Sequence, residues 1–77
     1  MAIDVVVPDP GDHEEFEVVE VMVEVGERVE QGDSLLEIST DKANMDVEAP
    51  AAGTVTEIRV ADGDTVPVTT VLVVLEP

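Results

Sequence analysis

VVEVMVEVGERVEQGDSLLEI, residues 18–38, and VTEIRVADGDTVPVTTVLVVL, residues 55–75, are two versions of one pattern set 37 positions apart. Val18, Val21, Val23, Gly26, Val29, Leu35, Leu36 and Ile38 align with Val55, Ile58, Val60, Gly63, Val66, Leu72, Val73 and Leu75. An internal repeat of this kind organises a fold before any single motif does. Each copy reads as a strand, a turn, a short strand and a further strand. The turns fall at Gly26-Glu27 and Gly63-Asp64, where a glycine can take a positive φ that other residues adopt only at a cost.

The repeat continues upstream if one insertion is allowed. Val5-Val6-Val7-Pro8 heads the first copy, and Asp46-Val47-Glu48-Ala49-Pro50 heads the second. The first copy then carries an extra stretch from Asp9 to Glu17, rich in Pro, Gly and acid, which reads as a surface loop. Neither half could bury its apolar face alone, so the two must pack on each other. The expected fold is all-β: a flattened barrel or sandwich of two antiparallel sheets, about four strands in each, with internal pseudo-twofold symmetry. Thr40-Asp41-Lys42-Ala43 is left as the hairpin joining the halves, and the two chain ends are expected to meet at the opposite end.

Composition supports this reading. Hydrophobic residues make up 44% of the 77-residue chain but aromatics only 1%, so the core must be aliphatic, and β-branched valine favours a pleated surface. The length fits a single domain, residues 1–77, near the lower limit for one core without staples. With no cysteine and one histidine, His13, neither a disulfide nor a histidine-cysteine metal site is expected. Nineteen acids against three basic residues give a formal net charge of -16. Such a surface repels nucleic acid and anionic membranes and favours a partner with a basic docking face. Adaptation to a salty interior, where screening shortens the reach of self-repulsion, would produce the same balance. No apolar run is long enough to cross a bilayer as a helix. The opening MAIDVVVPDPGD has no basic n-region, so a cytoplasmic protein is expected, monomeric as an isolated domain.

Against this charge one residue stands out. Lys42 is the chain's sole lysine, and it lies in the turn that the duplication independently marks. It could simply relieve local acidic repulsion. A catalytic role fits less well, because a lysine nucleophile is activated by burial or a neighbouring cation. Asp41 beside it offers the opposite.

The segment TDKANMDVEAPAAG, residues 40–53, resembles the lipoyl-lysine motif of the 2-oxo acid dehydrogenase complexes. Val7-Pro8-Asp9-Pro10-Gly11-Asp12 is similar to the opening motif of the same domains. Val25-Gly26-Glu27-Arg28-Val29 and Asp62-Gly63-Asp64-Thr65-Val66 resemble their paired glycine-acid turns. The resemblance covers essentially the whole chain and is greatest to the pyruvate dehydrogenase acetyltransferase component. Biotin carrier domains share the fold but typically place methionine on both sides of their lysine, where this chain has Asp41 and Ala43. A biotin carrier, or a non-carrier acidic docking module, remains the alternative.

The resemblance implies a swinging-arm carrier with no catalysis of its own. Lipoic acid would be joined as an amide to Lys42 by a lipoate ligase or lipoyl transferase. The lipoyl-lysine would accept an acyl group from a thiamine-dependent 2-oxo acid decarboxylase, deliver it to coenzyme A at an acyltransferase core, and be reoxidised by dihydrolipoyl dehydrogenase. Asp41 and Ala43 are the neighbours that, by the same resemblance, ligase and decarboxylase would read. Other residues carry blander expectations. Met45 is expected to pack and fix the hairpin, and Gly11 and Gly53 to occupy turns or bulges. His13 reads as an exposed polar residue, and Arg28 and Arg59 as partners in local surface pairs. The acidic loop would lie near the lysine hairpin if the family architecture holds.

Overall fold

A computed structural model of the chain describes residues 2–7, 14–40 and 43–77. Within them run eight strands: β1 (Ile3–Val5), β2 (Glu15–Val21), β3 (Arg28–Val29), β4 (Ser34–Ser39), β5 (Asn44–Glu48), β6 (Gly53–Ile58), β7 (Thr65–Pro67) and β8 (Val73–Glu76). They form two four-stranded antiparallel sheets, ordered β1-β8-β6-β3 and β5-β4-β2-β7. The all-β fold with two sheets and pseudo-twofold symmetry is therefore as expected.

The halves do not take one sheet each. Each sheet draws two strands from each half, and exchanging β1 with β5, β2 with β6, β3 with β7 and β4 with β8 converts one sheet order into the other. The register obeys the same exchange: Ile38 opposes Met45 in one sheet, and Leu75 opposes Ile3 in the other. The two ends of the chain thus lie side by side, at the place that corresponds by symmetry to the base of the β4–β5 hairpin.

Hydrogen bonds at the glycine turns show what the repeat is for. The Gly26 amide donates to the Val55 carbonyl at 2.7 Å, and the Gly63 amide donates to the Val18 carbonyl at 2.7 Å. The Val55 amide donates to Glu27 O at 2.9 Å and the Val18 amide to Asp64 O at 2.7 Å. Each turn is clasped by the long strand of the other half. The acid after each glycine closes its own turn, since the Glu24 amide donates to Glu27 Oε1 at 3.1 Å and the Ala61 amide to Asp64 Oδ2 at 2.9 Å. Gly26 and Gly63 have φ of 94° and 89°, the left-handed region where a side chain is strained.

The core lies between the sheets. Phe16, Val18, Leu36, Ile38 and Val47 from one sheet meet Val5, Val55, Val73 and Leu75 from the other. Irregularities between Val18 and Glu20, and between Val55 and Glu57, fall at matching points of the repeat. An extra residue in a strand shifts its pleat by one. That is how Val18 and Val21, three apart, both serve the core, as do Val55 and Ile58.

Two expectations are corrected here. The loop expected from Asp9 to Glu17 is shorter, because Glu15–Glu17 belong to β2 and pair with Thr65–Pro67 of β7. Phe16, the chain's single aromatic residue, turns inward and is 3% exposed, because burying its ring outweighs the polarity of its neighbours. Residues 8–13, with Gly11 and His13, lie outside the described residues. Gly53 is neither a turn nor a bulge: it opens β6, and a Cβ there would sit 2.8 Å from the Glu76 carbonyl oxygen. Gly53→Ala must push β8 away, so it is expected to cost about 1–3 kcal/mol, read as a lower midpoint in thermal unfolding followed by circular dichroism.

Among the described residues no charged or polar side chain is buried. Arg59 pairs with Glu57 at 3.2 Å, with both side chains about half exposed, and such a pair contributes little in water. The negative charge is thus spread over a small surface without deep compensation. Raising NaCl from about 0.1 M to about 1 M shortens the Debye length from about 10 Å to about 3 Å, so the melting temperature is expected to climb with salt. A flat melting temperature across that range would show that self-repulsion is not a significant cost.

Candidate functional site

β4 and β5 are joined by the shortest link in their sheet. Their register runs from Ser34 opposite Glu48 to Ser39 opposite Asn44, with one shift between Ser34 and Leu36. Leu36 and Val47 face each other inside the core, so the hairpin is anchored at its buried end. On the outer face Glu37 opposes Asp46, a like-charge pair that is unfavourable by itself. Neutral neighbours serve both carboxylates: Asn44 Nδ2 donates to Glu37 Oε2 at 3.2 Å, and the Ser34 hydroxyl donates to Asp46 Oδ2 at 3.3 Å.

Beyond the last strand pair, Thr40 and Ala43 hold the hairpin closed. The Thr40 amide donates to the Ala43 carbonyl at 3.0 Å. The Thr40 hydroxyl donates to the same carbonyl at 3.0 Å and accepts from the Ala43 amide at 3.3 Å. Ala43 is exposed and Thr40 half-buried. Asp41 and Lys42, the two residues that connect this stem, lie outside the described residues. Of the three residues singled out from sequence, the structure therefore places Ala43 and the stem on either side of the other two.

Glu17 on β2 stands opposite Ser39, one residue before Thr40. The chain thus enters β2 alongside the hairpin's base, and the Glu14 carbonyl there accepts the Val68 amide at 3.0 Å. The strand that follows the acidic segment thus adjoins the hairpin, while the loop itself, residues 8–13, lies outside the described residues. Met45 departs from expectation. It opposes buried Ile38 but is 39% exposed, because β5 is an edge strand with a neighbour on one side only. Sequence reasoning missed Thr40, whose hydroxyl forms the grip on Ala43; a threonine before a two-residue turn is too common to signal it.

Among the described residues no group of acids and histidines is arranged to hold a metal. What the site offers is an exposed hairpin stem carrying a primary amine between its two clamped ends. That arrangement suits covalent attachment of a carboxylic acid as an amide, since the amine needs access and not a pocket.

Comparison with known proteins agrees with this geometry. Residues 3–75 match the family described as "Biotin-requiring enzyme", the biotinyl and lipoyl domains. The dihydrolipoyllysine-residue acetyltransferase component of the pyruvate dehydrogenase complex of Cupriavidus necator is 44% identical over 74 residues, which is 96% of this chain and 13% of that protein. The component of the same name from Haemophilus influenzae is 43% identical over 76 residues, 99% of this chain and again 13% of that protein. The chain thus spans about an eighth of the length of these relatives. Among solved structures, the lipoyl domain of the 2-oxoglutarate dehydrogenase complex from Azotobacter vinelandii superposes with a TM-score of 0.78 at 33% identity, covering 97% of this chain and 96% of that one. With the family matched across nearly its full length and the fold shared end to end, this chain belongs to the biotinyl and lipoyl domain family.

Proposed function

We propose that residues 1–77 form one lipoyl carrier domain of a 2-oxo acid dehydrogenase complex, with Lys42 Nζ as the point of attachment. The observation that carries this reading is positional: the chain's only lysine falls between Thr40 and Ala43, the two residues that close the β4–β5 hairpin. Asp41 and Ala43, on either side, are the residues a ligase and a decarboxylase would read. When bound, lipoic acid supplies a disulfide that can be reductively acylated, chemistry no side chain of this cysteine-free chain provides. The protein's part is to supply a hydrogen-bonded hairpin stem on either side of the lysine, and to keep the arm at high local concentration through its tether.

The relatives' names support the class of complex and the kind of parent protein proposed here, while the location and the individual partners rest on the sequence reading. The pyruvate class is favoured, with a dihydrolipoyllysine acetyltransferase as the parent protein and a cytoplasmic location. The partners are a lipoate ligase, a thiamine-dependent decarboxylase, an acyltransferase core and dihydrolipoyl dehydrogenase. The domain itself catalyses nothing, and its charge gives a basic partner face something to steer toward.

The test is intact-mass measurement of the 77-residue chain after co-expression with a lipoate ligase or, separately, a biotin ligase. One added lipoyl group in the first culture and no addition in the second is the expected result. Biotin in the second culture would make this a biotin carrier. An unmodified chain in both would leave only a docking module.

A further inference from the structure

The grip between Thr40 and Ala43 has a role beyond closing the turn. β5 is an edge strand, so β4 alone among strands holds the far side of the hairpin in its sheet. Two-residue hairpin loops are held best by Asn-Gly, Asp-Gly or glycine-first sequences, whose backbone suits the required twist. The connecting residues here are Asp41 and Lys42, with no glycine. A loop without that built-in preference depends on its stem for a fixed shape.

The stem answers this with one hydroxyl. Thr40 Oγ1 contacts both polar backbone groups of Ala43, at 3.0 Å to the carbonyl and 3.3 Å to the amide, and the Thr40 amide adds a third bond at 3.0 Å. The Ser39 hydroxyl donates to the Thr40 carbonyl at 3.4 Å, which ties the clamp back to β4. None of these side chains belongs to the core cluster, so the clamp governs the tip more than the stability of the sandwich.

We propose that Thr40 is a positioning residue whose hydroxyl sets the conformation in which Lys42 is offered to the modifying ligase. The proposal rests on the reading of Lys42 as the lipoyl site. A flexible tip is recognised only in its competent fraction, which weakens apparent affinity by that fraction and leaves the turnover of bound substrate alone. Thr40→Val keeps the shape and β-branching but removes the hydroxyl; Thr40→Ser keeps the hydroxyl.

With the 77-residue chain as substrate for a lipoate ligase, Thr40→Val is expected to raise KM about five- to ten-fold, the factor one lost hydrogen bond represents, with kcat little changed. Thr40→Ser should restore it. Independently of any enzyme, hydrogen exchange at the Ala43 amide should quicken in Thr40→Val and recover in Thr40→Ser, while the melting temperature stays within a few degrees of the unaltered chain. An unchanged KM or an unchanged Ala43 exchange rate in Thr40→Val would overturn the proposal. So would a matching loss in Thr40→Ser, or a kcat effect without one on KM. If the unaltered chain is not lipoylated at all, the lipoyl reading fails and this proposal falls with it, a result distinct from those that require normal modification of the unaltered chain.

Discussion

Lys42→Ala should yield a folded domain that gains no lipoyl group under conditions where the unaltered chain is fully modified. The loss is all-or-none because an amide needs an amine, and the chain has no other lysine. Lys42→Arg should fail as completely while keeping the positive charge, which separates the chemistry from the electrostatics. Folding should survive both changes. The stem residues on either side place no side chain in the core, and substitutions away from core, caps and networks usually fall within about 0.5 kcal/mol. Intact-mass spectrometry reads the modification and circular dichroism the fold. A residue inserted between Lys42 and Ala43 should also impair lipoylation without unfolding the sandwich. Full modification of Lys42→Ala would place the attachment elsewhere and remove the basis for the carrier assignment.

Phe16→Ala carries the largest expected cost in stability. The side chain is buried between β2 and the facing sheet, and the rest of the core is aliphatic, so no neighbouring ring can swing into the gap. Truncating a buried phenylalanine costs about 3–5 kcal/mol. A chain of this length has roughly 4–12 kcal/mol in total. The melting temperature should therefore fall by roughly 12–40 °C, or the domain should be unfolded at room temperature in low salt. Far-ultraviolet circular dichroism is the suitable probe, because the chain has no tryptophan or tyrosine to report by fluorescence. A shift of only a few degrees would mean that Phe16 is not a core residue.

The same residue shows where sequence reading stops. Its neighbours Glu15 and Glu17 made the stretch read as acidic loop, yet Phe16 and Val18 already alternate with those acids as a strand would. Composition outvoted periodicity. The repeat itself was legible, because the glycine turns and their acids recur at a fixed spacing and their hydrogen bonds recur with them. The exchange of strands between sheets was not, since a repeat says which elements correspond and not which pair. Gly53 was misread because its need is for space against Glu76, a contact made across the sheet and invisible locally. At the candidate site, the hairpin that joins the copies was legible from the repeat, and Ser39 pairs with Asn44 at its base. Thr40 was not legible, because its grip on Ala43 depends on distances across the hairpin.

The strand exchange also gives the lysine turn a meaning in the history the architecture implies. Because each half completes the other's sheet, two separate half-length chains could close the same sandwich as a strand-swapped homodimer. Joining them end to end requires a single new connection, and in this chain that connection is the Thr40–Ala43 link. Its symmetry mate is the open pair of chain ends, Ile3 beside Leu75. The fold therefore has one seam that is sewn and one that is open. The sewn seam has no counterpart that the sandwich needs for closure, and it is the link that carries the chain's sole lysine.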